Sequence, residues 1–296
     1  MTKSTYLLPA ALLVLASCSQ DEPTAISDRS HGEKIIFRTS LPEVISRAKV
    51  VYNTDIEKFH VTAFNTATVT DGPFDTFIDN VELEKDEYSG FYSSLLCQWP
   101  EKGHESDILQ FFAYYPEFPS SASLANGSTV SEGTANLDYK ITDYSIAPDI
   151  ADQVDFVTAS ATGSMADNLF SGITLNFGHQ LSRIRVNAWG ANKSCDIEIA
   201  GVRIGGVNVE GTFDFKPAEG ASVWSAQKKG EVEYIYRDGD QLLTLSRGQG
   251  SHATAETAAS VMGSRLNDSD DNTAMLIPTT DANGWDYAKD RSLIHI

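Results

Sequence analysis

The stretch Ser182-Arg183-Ile184-Arg185-Val186-Asn187-Ala188 alternates, with Ile184, Val186 and Ala188 on one side and Arg183, Arg185 and Asn187 on the other. A period of two is the mark of a pleated strand with one packed and one wet face. Residues 195–200 repeat it, setting Cys195, Ile197 and Ile199 against Asp196, Glu198 and Ala200. Further β-branched and aromatic runs lie outward from this pair, bounded by Gly, Asn, Asp, Ser and Pro clusters. Before it they fall at 34–39, 59–65, 88–95, 108–115, 137–141, 154–159 and 173–177. Beyond it they fall at 202–207, 211–215, 232–236, 241–245 and 274–277. Pro116 and Pro119 end the 108–115 run, because proline cannot donate to a ladder. Helix signals are confined to 255–266 and a turn at 43–49. The small, polar segment 160–168 separates two series of strands. The pattern predicts an all-β chain of two antiparallel β-sandwich domains in tandem, 33–160 and 161–296, since a lone sheet cannot bury a face.

The amino terminus is of a different kind. Lys3 gives it a positive start, and the apolar run 6–15 is too short to span a bilayer. Leu15-Ala16-Ser17-Cys18 follows, small residues then a cysteine, and looks like a bacterial lipobox. This predicts a signal peptide over 1–17 and a lipid on the Cys18 thiol. An ordinary secretory cleavage site beside an unrelated cysteine is the competing reading. Ser19-Gln20-Asp21-Glu22 opens an acidic, solvated tether over 18–32. It resembles the signal that sends some lipoproteins to the outer face of the outer membrane, although linkers share this composition. Acyl chains on Cys18 would anchor the protein to a membrane without spanning it.

The 296 residues include 41 acidic and 22 basic ones, for a net charge of −19. That balance disfavours nucleic acid and anionic lipid surfaces, which need basic patches. Apart from Cys18 there are two cysteines, Cys97 and Cys195, one in each predicted domain. They read as two buried free thiols, with a bridge between them the alternative.

The sequence holds no G-x-S-x-G, H-E-x-x-H, P-loop or dinucleotide fingerprint, and no cofactor or metal is expected. None of the six histidines is two or four residues from another. Ser251-His252 behind Gly248-Gln249-Gly250 reads as a glycine-rich loop. His179 is expected to hydrogen-bond backbone at the start of a strand. Asp268, Asp270 and Asn272 alternate as calcium ligands do, but Thr273 and Thr279 stand where such a loop needs Gly and Glu. Trp99, Trp224 and Trp285, each flanked by polar turn residues, could form a sugar-stacking platform or cover the ends of sandwich cores.

Several segments in order resemble the fimbrillin family of outer-membrane lipoproteins, the pilins and pilus-associated proteins of Gram-negative bacteria. They are the lipobox, Glu33-Lys34-Ile35-Ile36-Phe37-Arg38-Thr39-Ser40, Ser46-Arg47-Ala48 and Phe59-His60-Val61-Thr62-Ala63-Phe64. Next come Phe111-Phe112-Ala113-Tyr114-Tyr115-Pro116 and Leu175-Asn176-Phe177-Gly178-His179-Gln180-Leu181-Ser182-Arg183-Ile184. Gly211-Thr212-Phe213, Met275-Leu276-Ile277-Pro278 and Trp285-Asp286 complete the series. The resemblance implies sandwiches of transthyretin-like topology and a fimbrial subunit or accessory tip adhesin, with no enzymatic activity. It implies that an arginine-specific protease removes the first strand, after which a neighbouring subunit's strand fills the groove. Here the strand would hold Ile35, Ile36 and Phe37, and the cut would fall at Arg47–Ala48. The simpler reading is a permanent edge strand and an ordinary loop arginine. The implied partners are other fimbrial subunits, the outer membrane through Cys18, and a host or bacterial surface ligand. The family usually continues past the Trp-Asp segment, whereas this sequence stops at Ser292-Leu293-Ile294-His295-Ile296. That suggests a missing tail or a subunit that accepts a strand without donating one. The alternative function is a glycan-binding surface lipoprotein that uses the tryptophans.

Overall fold

A computed structural model describes residues 33–41, 56–67, 71–190, 194–237, 242–245, 259–262, 273–278 and 293–295. Among them the chain is all-β, with one α-helical turn at Met165–Asn168 and one 3-10 turn at Ile150–Asp152. Ser164 caps the α-helical turn, its hydroxyl accepting from the Asp167 amide.

The sheet that organises the first half has five antiparallel strands in the order 178–179, 157–163, 109–115, 58–65, 78–84. Its middle strand, Leu109–Tyr115, reads LQFFAYY and is buried almost throughout. Both faces are covered, which is why the apolar run is continuous rather than alternating. Leu109, Phe111 and Ala113 join a cluster with Phe59, Val61 and Ala63. Phe112 on the other face packs with Phe64, Phe74 and Tyr139. Two hydroxyls buried there satisfy each other: those of Thr62 and Tyr139 lie 2.9 Å apart.

A second sheet runs 224–235, 201–214, 139–145, 123–126, with 293–295 also paired to 203–205. Its spine, Gly201–Asp214, is a single strand of 14 residues. Two separate strands, 202–207 and 211–215, were expected there. Register shifts at Gly205/Val207, Asn208/Glu210 and Glu210/Thr212 absorb the glycines that looked like turns. Phe213, Trp224, Val232 and Tyr234 anchor the cluster behind this sheet.

Pairing crosses residue 160 in both directions. Strand 139–145 pairs with 201–214, and strand Phe37–Ser40 pairs with Ile173–Asn176. The expected boundary at 160/161 therefore falls between strands that share sheets and cores with both halves. Residues 160–163 extend the strand Val157–Gly163 instead of forming a linker.

Other expectations are corrected locally. Residues 88–95 form turns with an isolated bridge at Tyr92, because Asp86 and Ser89 close an Asx-type turn there. The run 182–188 is two short strands, Ser182–Ile184 and Asn187–Ala188. Within the predicted helix 255–266, Ala259–Ser260 is a strand paired with Asn187–Ala188. The predicted turn 43–49 lies outside the described residues. Ile78–Glu84 and Thr129–Ser131 are strands the sequence did not reveal.

Candidate functional site

The segment 33–41, which contains the strand Phe37–Ser40, enters the first core with its side chains alternating. Ile35 and Phe37 are fully buried, while Lys34, Arg38 and Ser40 are exposed and Ile36 is half-buried. The Phe37 ring stands edge-on to Phe111 at 5.5 Å and to Phe59 at 6.3 Å. Outside, the Arg38 guanidinium lies 4.6 Å over the Phe91 ring, a cation–π contact.

Both edges of this segment are occupied. On one side Ile35 N donates to Cys97 O at 2.9 Å and Trp99 N donates to Glu33 O at 2.9 Å. Phe37 and Tyr92 exchange two backbone bonds, 2.9 and 3.0 Å long. That side is antiparallel. On the other side the strand runs parallel to Ile173–Asn176, with Phe37 opposite Ile173 and Ser40 opposite Asn176. Ile173 N donates to Ile36 O at 2.8 Å, and Phe177 N donates to Ser40 O at 2.7 Å. The segment is thus an inserted strand with two neighbours, where an edge strand was the simpler expectation.

The walls are shaped to this segment. Gly172 has φ of +72°, and a Cβ on it would stand 2.7 Å from Ile36 O. Glycine is required there twice over, by conformation and by closeness. The Tyr92 hydroxyl donates to Ile56 O and ties the chain after the segment to the same wall. Burial raises the Tyr92 pKa, with a hydrogen bond to Thr39 opposing it. Burial also pushes the Cys97 thiol up to about 12. Removing Ile35 and Phe37 from water contributes roughly 3–6 kcal/mol.

Cys18, Arg47 and Ala48 lie outside the described residues. Of the two remaining thiols, Cys97 is buried but Cys195 is exposed, against the expectation of two buried ones. In the strand Ile197–Ile199 only Ile199 is buried, so a packed face of three apolar residues does not form. The tryptophan platform is also corrected. Trp99 and Trp224 are 2% and 1% exposed and belong to the cores, and Trp285 lies outside the described residues. Trp224 donates to Gln180 O at 3.0 Å, the polar tether that an end-covering tryptophan needs. His179 bonds a carboxylate instead of backbone: its Nδ1 lies 2.6 Å from Asp155 Oδ2. Among the described residues no group of three or more His, Cys, Asp or Glu could hold a metal ion. Asp268, Asp270 and Asn272 fall outside them. Also among them, no helix is long and apolar enough to cross a membrane.

The family profile described as fimbrillin-like matches residues 46–289. No curated protein matches the chain. Solved structures aligned with it include a candidate cell adhesion protein from Bacteroides ovatus ATCC 8483. That one has 14% identity, 82% of this chain and 85% of that chain covered, and a TM-score of 0.39. A candidate adhesin from Bacteroides thetaiotaomicron VPI-5482 has 14% identity, 75% and 79% coverage and a TM-score of 0.38. A candidate cell adhesion protein from the same organism has 13% identity, 81% and 89% coverage and a TM-score of 0.23.

Proposed function

The chain belongs to the fimbrillin-like family, and from that premise we propose that it is a surface-held fimbrial subunit or accessory adhesin joined to its neighbours by strand addition. Membership fits a structural role at the cell surface better than catalysis. The observation that carries the assembly reading is the inserted strand. A segment bonded on both edges, with Ile35 and Phe37 in the core, leaves a slot one strand wide when it is withdrawn. Losing its roughly 3–6 kcal/mol would remove much of the ~5–15 kcal/mol that holds a domain together. Release and replacement must therefore be coupled.

In this reading the strand bearing Ile35, Ile36 and Phe37 is freed by cleavage at Arg47–Ala48. The two large buried clusters are the cores of two transthyretin-like sandwiches in tandem. Acyl chains on Cys18 hold the protein at the outer membrane before or during assembly, and other fimbrial subunits supply the incoming strand.

The test is a chain beginning at Ala48, compared with the full chain and offered a synthetic peptide of residues 33–41. The shorter chain is expected to melt earlier and self-associate, and to return to a stable monomer when the peptide is added. A shorter chain that stays monomeric with unchanged melting, and ignores the peptide, would overturn the assembly reading. Anchoring is tested separately. Cells fed an alkyne-tagged palmitate should label the wild type and leave Cys18→Ala unlabelled.

A further inference from the structure

The inserted segment turns a second pattern outward. Lys34 and Arg38 are exposed, while Ile35 and Phe37 between them are buried. The pairing register settles what the two cations meet. Phe37 and Tyr92 exchange their backbone bonds. The next pair along, Arg38 with Phe91, is therefore of the kind without hydrogen bonds, whose side chains stand closest. The Arg38 guanidinium accordingly lies 4.6 Å over the Phe91 ring. Four residues back, Lys34 bridges Gln98. The Gln98 amide nitrogen donates to its own turn, to Leu95 O at 2.9 Å, which leaves the side-chain oxygen as the group that can take a donor. On the parallel side the partner of Arg38 is Thr174.

These outer neighbours are all uncharged, in a chain with 41 acidic residues. Arg38 is matched to the negative face of a ring and not to a carboxylate. Such a face attracts a cation, tolerates an apolar side chain and repels a carboxylate. The Gln98 oxygen discriminates in the same sense, since it accepts from an ammonium and has nothing to offer an acid. The net charge of −19 acts in that direction over a longer range. The turn carrying Phe91 is held by bonds that do not involve the segment. Asp86 Oδ1 accepts from the amides of Tyr88 and Ser89 at 3.1 and 2.7 Å, and Asp86 N donates to Phe91 O at 2.8 Å. The ring is thus placed before any guest arrives.

We propose that the slot selects its guest by charge as well as by shape. It takes an extended segment with two apolar residues facing in and basic residues facing out at the places of Lys34 and Arg38. Phe91 is the residue that discriminates at the second place. This rests on the strand-addition reading and names the chemistry of the partner that reading calls for.

The uncut chain gives the first measurement. Arg38→Gln, Phe91→Leu and the double variant are compared by urea unfolding. The double variant should shift the unfolding equilibrium constant about two- to fivefold less than the two single effects multiplied together. Independent effects would overturn the proposal. The second measurement uses the full chain with a viral-protease site in place of residues 44–50, cut there with both pieces kept. Fluorescent peptides of residues 33–41 are added, and entry is read by anisotropy. The natural peptide should enter and Arg38→Lys should match it. Arg38→Gln should enter about two- to fivefold more weakly, and Arg38→Glu about tenfold or more. In a Phe91→Leu host the natural peptide should lose its advantage over Arg38→Gln. If the natural peptide enters and Arg38→Glu enters equally well, selection by charge is wrong while strand addition stands. If no peptide enters, strand addition itself falls and the selection with it.

Discussion

His60 lies flat on Tyr114, with ring centroids 5.1 Å apart and planes 8° from parallel. Burial lowers its pKa from 6.5, and the attraction of Glu82 and Glu117 offsets this only in part. The unfolded chain therefore binds this proton first as pH falls. The stability contributed by a neutral His60 is complete above 6.5 and is lost as pH drops from there to the folded value. His60→Phe keeps the stack and removes the proton. Its unfolding midpoint should gain on the wild type as pH is lowered through that window, and a constant difference would refute the account. Phe37→Ala opens a hole between Phe59 and Phe111 and should cost about 3–5 kcal/mol in urea unfolding. Gly172→Ala sets a Cβ against Ile36 O at a positive φ, and should cost about 1–3 kcal/mol. If Gly172→Ala melted like the wild type, the close fit of that wall would have no energetic meaning.

At the scale of elements, the inserted strand links burial to a measurable reactivity. The Cys97 backbone bonds Ile35, and its thiol is buried with a pKa of about 12, so it is almost wholly protonated and shielded near neutrality. In a Cys18→Ser background a thiol reagent should label exposed Cys195 at once and Cys97 only slowly. A chain beginning at Ala48 should label both, and continued protection of Cys97 there would mean that the slot closes by itself. The inward face of this strand was legible in the sequence, because Ile35 and Phe37 alternate with Lys34 and Arg38. Its two-sided pairing was not. Residues 92–99 interrupt their bridges with a turn at 95–96, closed by Cys97 N donating to Ser94 O, and carry no period, and parallel neighbours leave no sequence mark. Strand Ile78–Glu84 was hidden by its charges and by Asn80 at φ +45°, which bends it at a register shift.

Over the whole molecule, strand content could be read from period and composition, but the run of one strand through residue 160 could not. Small polar residues look the same in a linker and on the wet face of a strand such as Val157–Gly163. The charge excess is also a property of this scale, and it makes proteolysis a clean probe, since basic sites are few. Limited trypsin treatment should yield a product starting at Ala48 before any product cut after Arg38, whose backbone is held in the ladder with Thr174. The reverse order would show that the segment peels from its slot before the link beyond it is cut. The unlike neighbours of that slot carry a last consequence. One neighbour accepts company only head to tail and the other only head to head, so a guest has a single permitted heading. Any string of copies fastened through this joint would be an arrow, with two ends that can never be mistaken for each other and growth that can differ between them.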